Sequence, residues 1–87
     1  MFISIHKYNH ARFYPCSPMA DYKWSGKKGR NVNIPLDNCQ DSIEIGDSDY
    51  IYIYESIVEP LIRAYRPDCI LVSNGLDALV GDPLGKL

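Results

Sequence analysis

Hydrophobic and polar positions alternate in two short stretches of this chain, recur at helical spacing in a third and run together in a fourth. Phe2-Ile3-Ser4-Ile5-His6 reads as a strand from the second residue onward. Asn31-Val32-Asn33-Ile34-Pro35-Leu36 alternates polar and apolar, which predicts a second short strand ended by Pro35. Tyr50, Ile51, Tyr54, Ile57, Val58, Leu61, Ile62 and Tyr65 keep the 3.6-residue rhythm of one helix face and predict a helix over 48–66. Asp47 or Ser48 is its expected cap, and Asp49 near the start and Arg63 and Arg66 near the end suit the helix dipole. Pro60 should kink it and Pro67 stop it. Cys69-Ile70-Leu71-Val72-Ser73 is a continuous apolar run rich in branched residues, the pattern of a strand buried on both faces of a parallel sheet.

Strand 31–36, helix 48–66 and strand 69–73 then make a right-handed βαβ unit, with strand 2–6 beside it in the same parallel sheet. The class is α/β. Residues 7–29 lack periodicity and carry Pro15, Pro18, Gly26 and Gly29 among Phe13, Tyr14, Tyr22 and Trp24. Loops of this length are uncommon without a function, although packing over the sheet edge accounts for most such rings. A parallel sheet needs helices on both faces, and one helix is predicted here. The chain is therefore expected to be an internal section of a larger α/β domain, or to bind something that covers it.

Ligands in open α/β sheets gather where strands end, and the predicted strand 69–73 runs into Ser73-Asn74-Gly75 with Asp77 just beyond. Asp77 is a candidate for chemistry at that position; a turn or capping role is the plainer alternative. Asp82, before Pro83, reads as a turn former. His6 and His10 stand four apart, but the first ends a strand, so a hydrogen-bonded histidine is the better reading than a metal pair. No phosphate-binding glycine loop or nucleophile elbow is present.

Composition narrows the field further. Up to Leu36 there are six Lys and Arg against one Asp, and after it three against ten acidic residues. Basic surface loops explain that asymmetry more simply than a nucleic-acid face. Cys16, Cys39 and Cys69 form no paired framework, and Cys69 is expected to be a small buried hydrophobe. No apolar run is long enough for a membrane span and no signal peptide is visible, so a soluble intracellular setting is expected.

Several segments taken in order resemble the zinc-dependent histone deacetylases, with details closest to the class II branch. Ser4-Ile5-His6-Lys7-Tyr8 with Arg12-Phe13-Tyr14-Pro15 resembles their strand and F-x-P loop, and Val32-Asn33-Ile34-Pro35 the next strand. Gly46-Asp47-Ser48-Asp49-Tyr50 resembles the start of the following helix. Leu71-Val72-Ser73-Asn74-Gly75-Leu76-Asp77-Ala78 and Gly81-Asp82-Pro83-Leu84-Gly85 resemble the family's LVSxGFDAxxGDPLG signature, with Leu76 in place of Phe. Cys16 stands where glycine is common.

The resemblance implies the arginase/deacetylase-type fold, a parallel sheet with helices on both faces in three layers (α/β/α), of which residues 1–87 are one part. It implies zinc-dependent hydrolysis of the acetyl-lysine amide on histones or other proteins, corepressor complexes as partners, and a place in the nucleus, the cytoplasm or both. Asp77 would be one of three zinc ligands. Ser4 and Ile5 would belong to a potassium site, and Tyr14 and Leu84 would line the acyl-lysine tunnel. The other zinc ligands and the catalytic histidines are expected before Met1 and the catalytic tyrosine after Leu87, so the chain by itself is expected to be inactive. A section of an acetylpolyamine-type amidohydrolase, or a non-catalytic module binding protein or nucleic acid through residues 7–30, are the alternatives.

Overall fold

A computed structural model describes residues 1–26, 30–37 and 45–83. They belong to two units, Met1–Glu44 and Ile45–Leu87, each with its own packing. In the first, β1 (Phe2–Lys7) and β2 (Asn31–Leu36) pair in parallel, with Phe2 opposite Asn31 and Lys7 opposite Leu36. The ladder continues past both ends, the Phe2 N–H donating to Arg30 O at 2.7 Å and the Tyr8 N–H to Leu36 O at 2.9 Å. Pro35 does not end the second strand; it sits inside it opposite His6. Both strands and their parallel relation are as expected.

Strand side chains alternate between faces, so the register separates Ile3, Ile5, Val32 and Ile34 from Ser4, His6, Asn31 and Asn33. Among the described residues the core of this unit is small, with Tyr8, Ile34 and Leu36 its buried apolar side chains. The chain leaves β1 through three successive residues in the left-handed region, Asn9, His10 and Ala11, at φ 47°, 54° and 62°. Asp37 holds that turn, accepting from the His10 backbone N–H at 3.0 Å, with its other oxygen 3.6 Å from His10 Nδ1. Two short 3₁₀ turns follow, Pro18–Ala20 and Tyr22–Trp24. Ser17 and Asp21 start them, their side-chain oxygens accepting from the backbone N–H groups of Met19 and Lys23.

The second unit is a helix followed by an irregular segment. α1 (Asp47–Ile53) starts after Gly46, whose N–H donates to the Asp49 carboxylate at 2.9 Å. The cap position is thus Gly46, one residue before Asp47 and two before Ser48, the expected caps, because Asp49 reaches back to satisfy the free N–H group. α2 (Glu59–Tyr65) ends at Arg66, which turns left-handed at φ 54° just ahead of Pro67.

Between them the helix neither breaks nor stays α. Tyr54–Val58 forms a π turn, and the Glu59 N–H donates to the carbonyl of Tyr54, five residues back. Pro60 explains this. Its ring has no N–H for the carbonyl of Ser56 and would collide with it in an α turn, and a wider turn relieves the collision. The half-covered apolar positions are Tyr50, Ile53, Val58, Leu61 and Ile62. Ile51, Tyr54, Ile57 and Tyr65 from the expected stripe are exposed, since the wide turn puts a step of five between Ile53 and Val58.

The expected strand over 69–73 does not form. Leu71 and Val72 are 93% and 80% exposed, and Cys69 is exposed, not a buried small hydrophobe. A strand is ordered by hydrogen bonds to neighbours, and the second unit contains no strand edge among its described residues. The βαβ unit accordingly lacks its second strand, and the described sheet has two strands.

Candidate functional site

Asp77 lies in the middle of a single 3₁₀ turn, Leu76–Ala78, that follows the extended run. Gly75 precedes the turn and its carbonyl accepts from the Ala78 N–H at 3.3 Å. The Asp77 side chain folds back over Gly75: a Cβ built there would stand 2.8 Å from Asp77 Oδ1. Gly75 has φ −79°, which any residue adopts, so glycine is needed there for space alone. Asp77 is exposed and caps nothing, and among the described residues no hydrogen bond or ion pair engages its carboxylate. That is contrary to the capping alternative, and contrary too to a carboxylate on the rim of a buried strand. The next turn closes through Asp82 N–H to Leu79 O at 3.2 Å and needs Gly81 at φ 97°, so Asp82 stands in a turn as expected.

Ser4 and Ile5 are adjacent in β1, both half-buried. The Ser4 hydroxyl lies 2.8 Å from His6 Nδ1, and His6 Nε2 lies 2.9 Å from the Ala20 carbonyl. His10 is turned to Asp37, so the two histidines have separate partners and do not converge. Tyr14 is 84% exposed in the loop, and Cys16 beside it has φ 57°, a conformation that favours glycine at that position. Leu84 lies outside the described residues.

A catalytic zinc takes about three protein ligands. No group of three His, Cys, Asp or Glu side chains comes together among the described residues. Asp77 suits such an ion as a single hard oxygen donor, and the described residues do not by themselves form a complete metal site. No described helix is long and apolar enough to cross a membrane.

Two elements escaped the sequence reading: the space that Gly75 leaves for Asp77, and the side chains that hold the loop. Asn33 donates through Nδ2 to Met19 O at 3.1 Å and Asp21 O at 3.2 Å, and Ser25 Oγ accepts from the Asn33 N–H at 2.7 Å. The Tyr8 hydroxyl is bonded to the Asp21 carboxylate, and its pKa is raised by burial and by the charges of Asp21 and Asp37. A signal for this existed. Ser4, His6, Asn31 and Asn33 give polar faces to strands whose parallel pairing would ordinarily make both faces apolar.

The model of the histone deacetylase domain matches residues 1–87, the whole chain. Histone deacetylase 15 of Arabidopsis thaliana is 40% identical over 86 residues, covering 98% of this chain and 15% of that protein. Histone deacetylase 5 of the same plant is 36% identical over 88 residues, covering 98% of the chain and 13% of that protein. A polyamine deacetylase of Danio rerio is 31% identical over 90 residues, covering 100% of the chain and 13% of that protein. With a domain match from end to end, this chain belongs to the histone deacetylase domain family. It spans between 9% and 15% of the length of such relatives.

Proposed function

We propose that residues 1–87 are part of a zinc-dependent lysine deacetylase domain, of the three-layer α/β/α arginase/deacetylase type, acting on the acetyl-lysine amide of histones or other proteins. The observation that carries this reading is the family match across the whole chain, including the loop that presents the unengaged carboxylate of Asp77. In it, Asp77 is one of three zinc ligands, its carboxylate occupying the space that Gly75 leaves by having no side chain. When bound, such an ion would supply Lewis acidity for hydrolysing an amide. Ser4 and Ile5 contribute oxygens to a potassium ion, and the Tyr14 ring and Leu84 flank the acylated side chain. A corepressor complex as partner, and a nuclear or cytoplasmic location, belong to the same reading.

The 87-residue chain alone is expected to release no acetate from an acetyl-lysine peptide in the presence of zinc. Turnover abolished by a chelator would overturn that expectation. The positive test grafts residues 1–87 in place of the matching stretch of Arabidopsis histone deacetylase 15. The chimera should deacetylate peptide, and Asp77→Asn should lower its activity by about 100-fold or more. An Asp77→Asn chimera as active as its parent would refute the ligand role. A second reading, a small-amide amidohydrolase, is favoured by the polyamine deacetylase relative. Preference of the chimera for acetylated polyamine over peptide would establish it in place of the first.

A further inference from the structure

The loop after β1 is held to the sheet by side chains and not by an apolar core of its own. Three consecutive carbonyls, those of Met19, Ala20 and Asp21, each accept a hydrogen bond from a strand side chain: Asn33, His6 and Asn33 in turn. Neither 3₁₀ turn in this loop contains a buried residue, so the clasp supplies order that packing does not.

His6 is the member of the clasp that also bonds to a side chain of its own strand, Ser4. A carbonyl oxygen can only accept, so the bond to Ala20 puts the ring proton on Nε2. In a neutral ring Nδ1 then accepts, and the Ser4 hydroxyl donates to it. With that proton committed, the lone pairs of Ser4 Oγ are left for an electropositive partner.

We infer that His6 is a positioning residue: its single imidazole, fixed as the Nε2–H tautomer, aims the Ser4 oxygen lone pairs and anchors the loop that follows Tyr14. The orientation of a first ligand by a hydrogen-bonded neighbour is a general device of cation sites. The device puts the Ser4 oxygen and the loop under the control of one ring. Its bearing on a deacetylase rests on the cation role proposed for Ser4 and the wall role proposed for Tyr14; the hydrogen bonds themselves do not.

Nitrogen-15 NMR of the histidine-labelled chain reads the tautomer directly, with amide hydrogen exchange over residues 17–26 reporting the clasp. Wild type should show His6 protonated at Nε2 and not at Nδ1. His6→Phe should speed exchange of the Ala20, Asp21 and Trp24 amides by about tenfold, the loss of one hydrogen bond, while the β1–β2 ladder amides keep their protection. His6→Gln, whose amide nitrogen can reach the same carbonyl, should restore most of that protection. Ser4→Ala should shift the Nδ1 resonance and leave loop exchange unchanged. An Nδ1–H tautomer in wild type overturns the inference without any substitution, as does a His6→Phe loop exchanging like wild type or a His6→Gln loop exchanging like His6→Phe. These outcomes are independent of catalysis. An inactive chimera would sink the deacetylase reading and leave the tautomer result standing.

Discussion

The two units of this chain are ordered by different means. In Met1–Glu44 the backbone is hydrogen-bonded in a parallel ladder, and His6, Asn33, Tyr8 and Asp37 each engage the connecting loop. In Ile45–Leu87 two α segments are joined by a π turn, and the most apolar segment of the chain, Ile70 to Val72, is exposed and in no strand. Polar bonds between near neighbours can complete themselves within a short stretch of chain. A buried strand cannot, because its order depends on edges and faces that other elements supply.

Substitution of one apolar residue in each unit gives the largest expected contrast. Leu36→Ala, in the small core of the first unit, should destabilise it by about 2–4 kcal/mol in urea unfolding. Leu71→Ala should change stability by less than about 0.5 kcal/mol, as for an exposed residue. Equal costs at the two positions would erase the distinction. Alkaline titration probes the clasp next. The Tyr8 hydroxyl has a raised pKa in the folded state, so its contribution is fully present below its usual value near 10 and is lost as pH climbs through the raised value. Exchange of the loop amides should accelerate over that range in wild type and much less in Tyr8→Phe.

A smaller effect is expected at the left-handed turn. Ala11, at φ 62°, holds a conformation that glycine adopts freely, and Ala11→Gly should raise the thermal stability of the first unit by about 1 kcal/mol or less. A loss of stability would mean that the methyl group makes a compensating contact. Smallest in global terms is Gly75→Ala. The new methyl should leave stability within about 0.5 kcal/mol but rotate the Asp77 carboxylate, moving its carboxyl carbon resonance. An unmoved resonance would show that the close approach to Gly75 does not set that side chain.

Much of the first unit was legible in advance because its signals are local. Alternation marked β1 and β2, and the glycine-like position of Cys16 matched a left-handed φ. The helix limits were readable within a residue, for Asp49 and Pro67 act on neighbouring backbone. The π turn was not, since Pro60 predicts trouble in a helix without saying whether a kink or a wider turn resolves it. The clasp was hidden for another reason: His6 meets Ala20 and Asn33 meets Met19 only after the loop has doubled back over the sheet. The strand expected before Asp77 failed because hydropathy measures the wish for burial and not its fulfilment.

The π turn has a consequence for how this helix can change. The extra residue in Tyr54–Val58 is absorbed by the wide turn, so Val58, Leu61 and Ile62 stand where residues 57, 60 and 61 of an unbroken α-helix would stand. That places them on the same side of the rod as Tyr50 and Ile53, the half-covered face. Removing a single residue from the turn would leave that face in place, and Pro60 would oppose the return to an α turn.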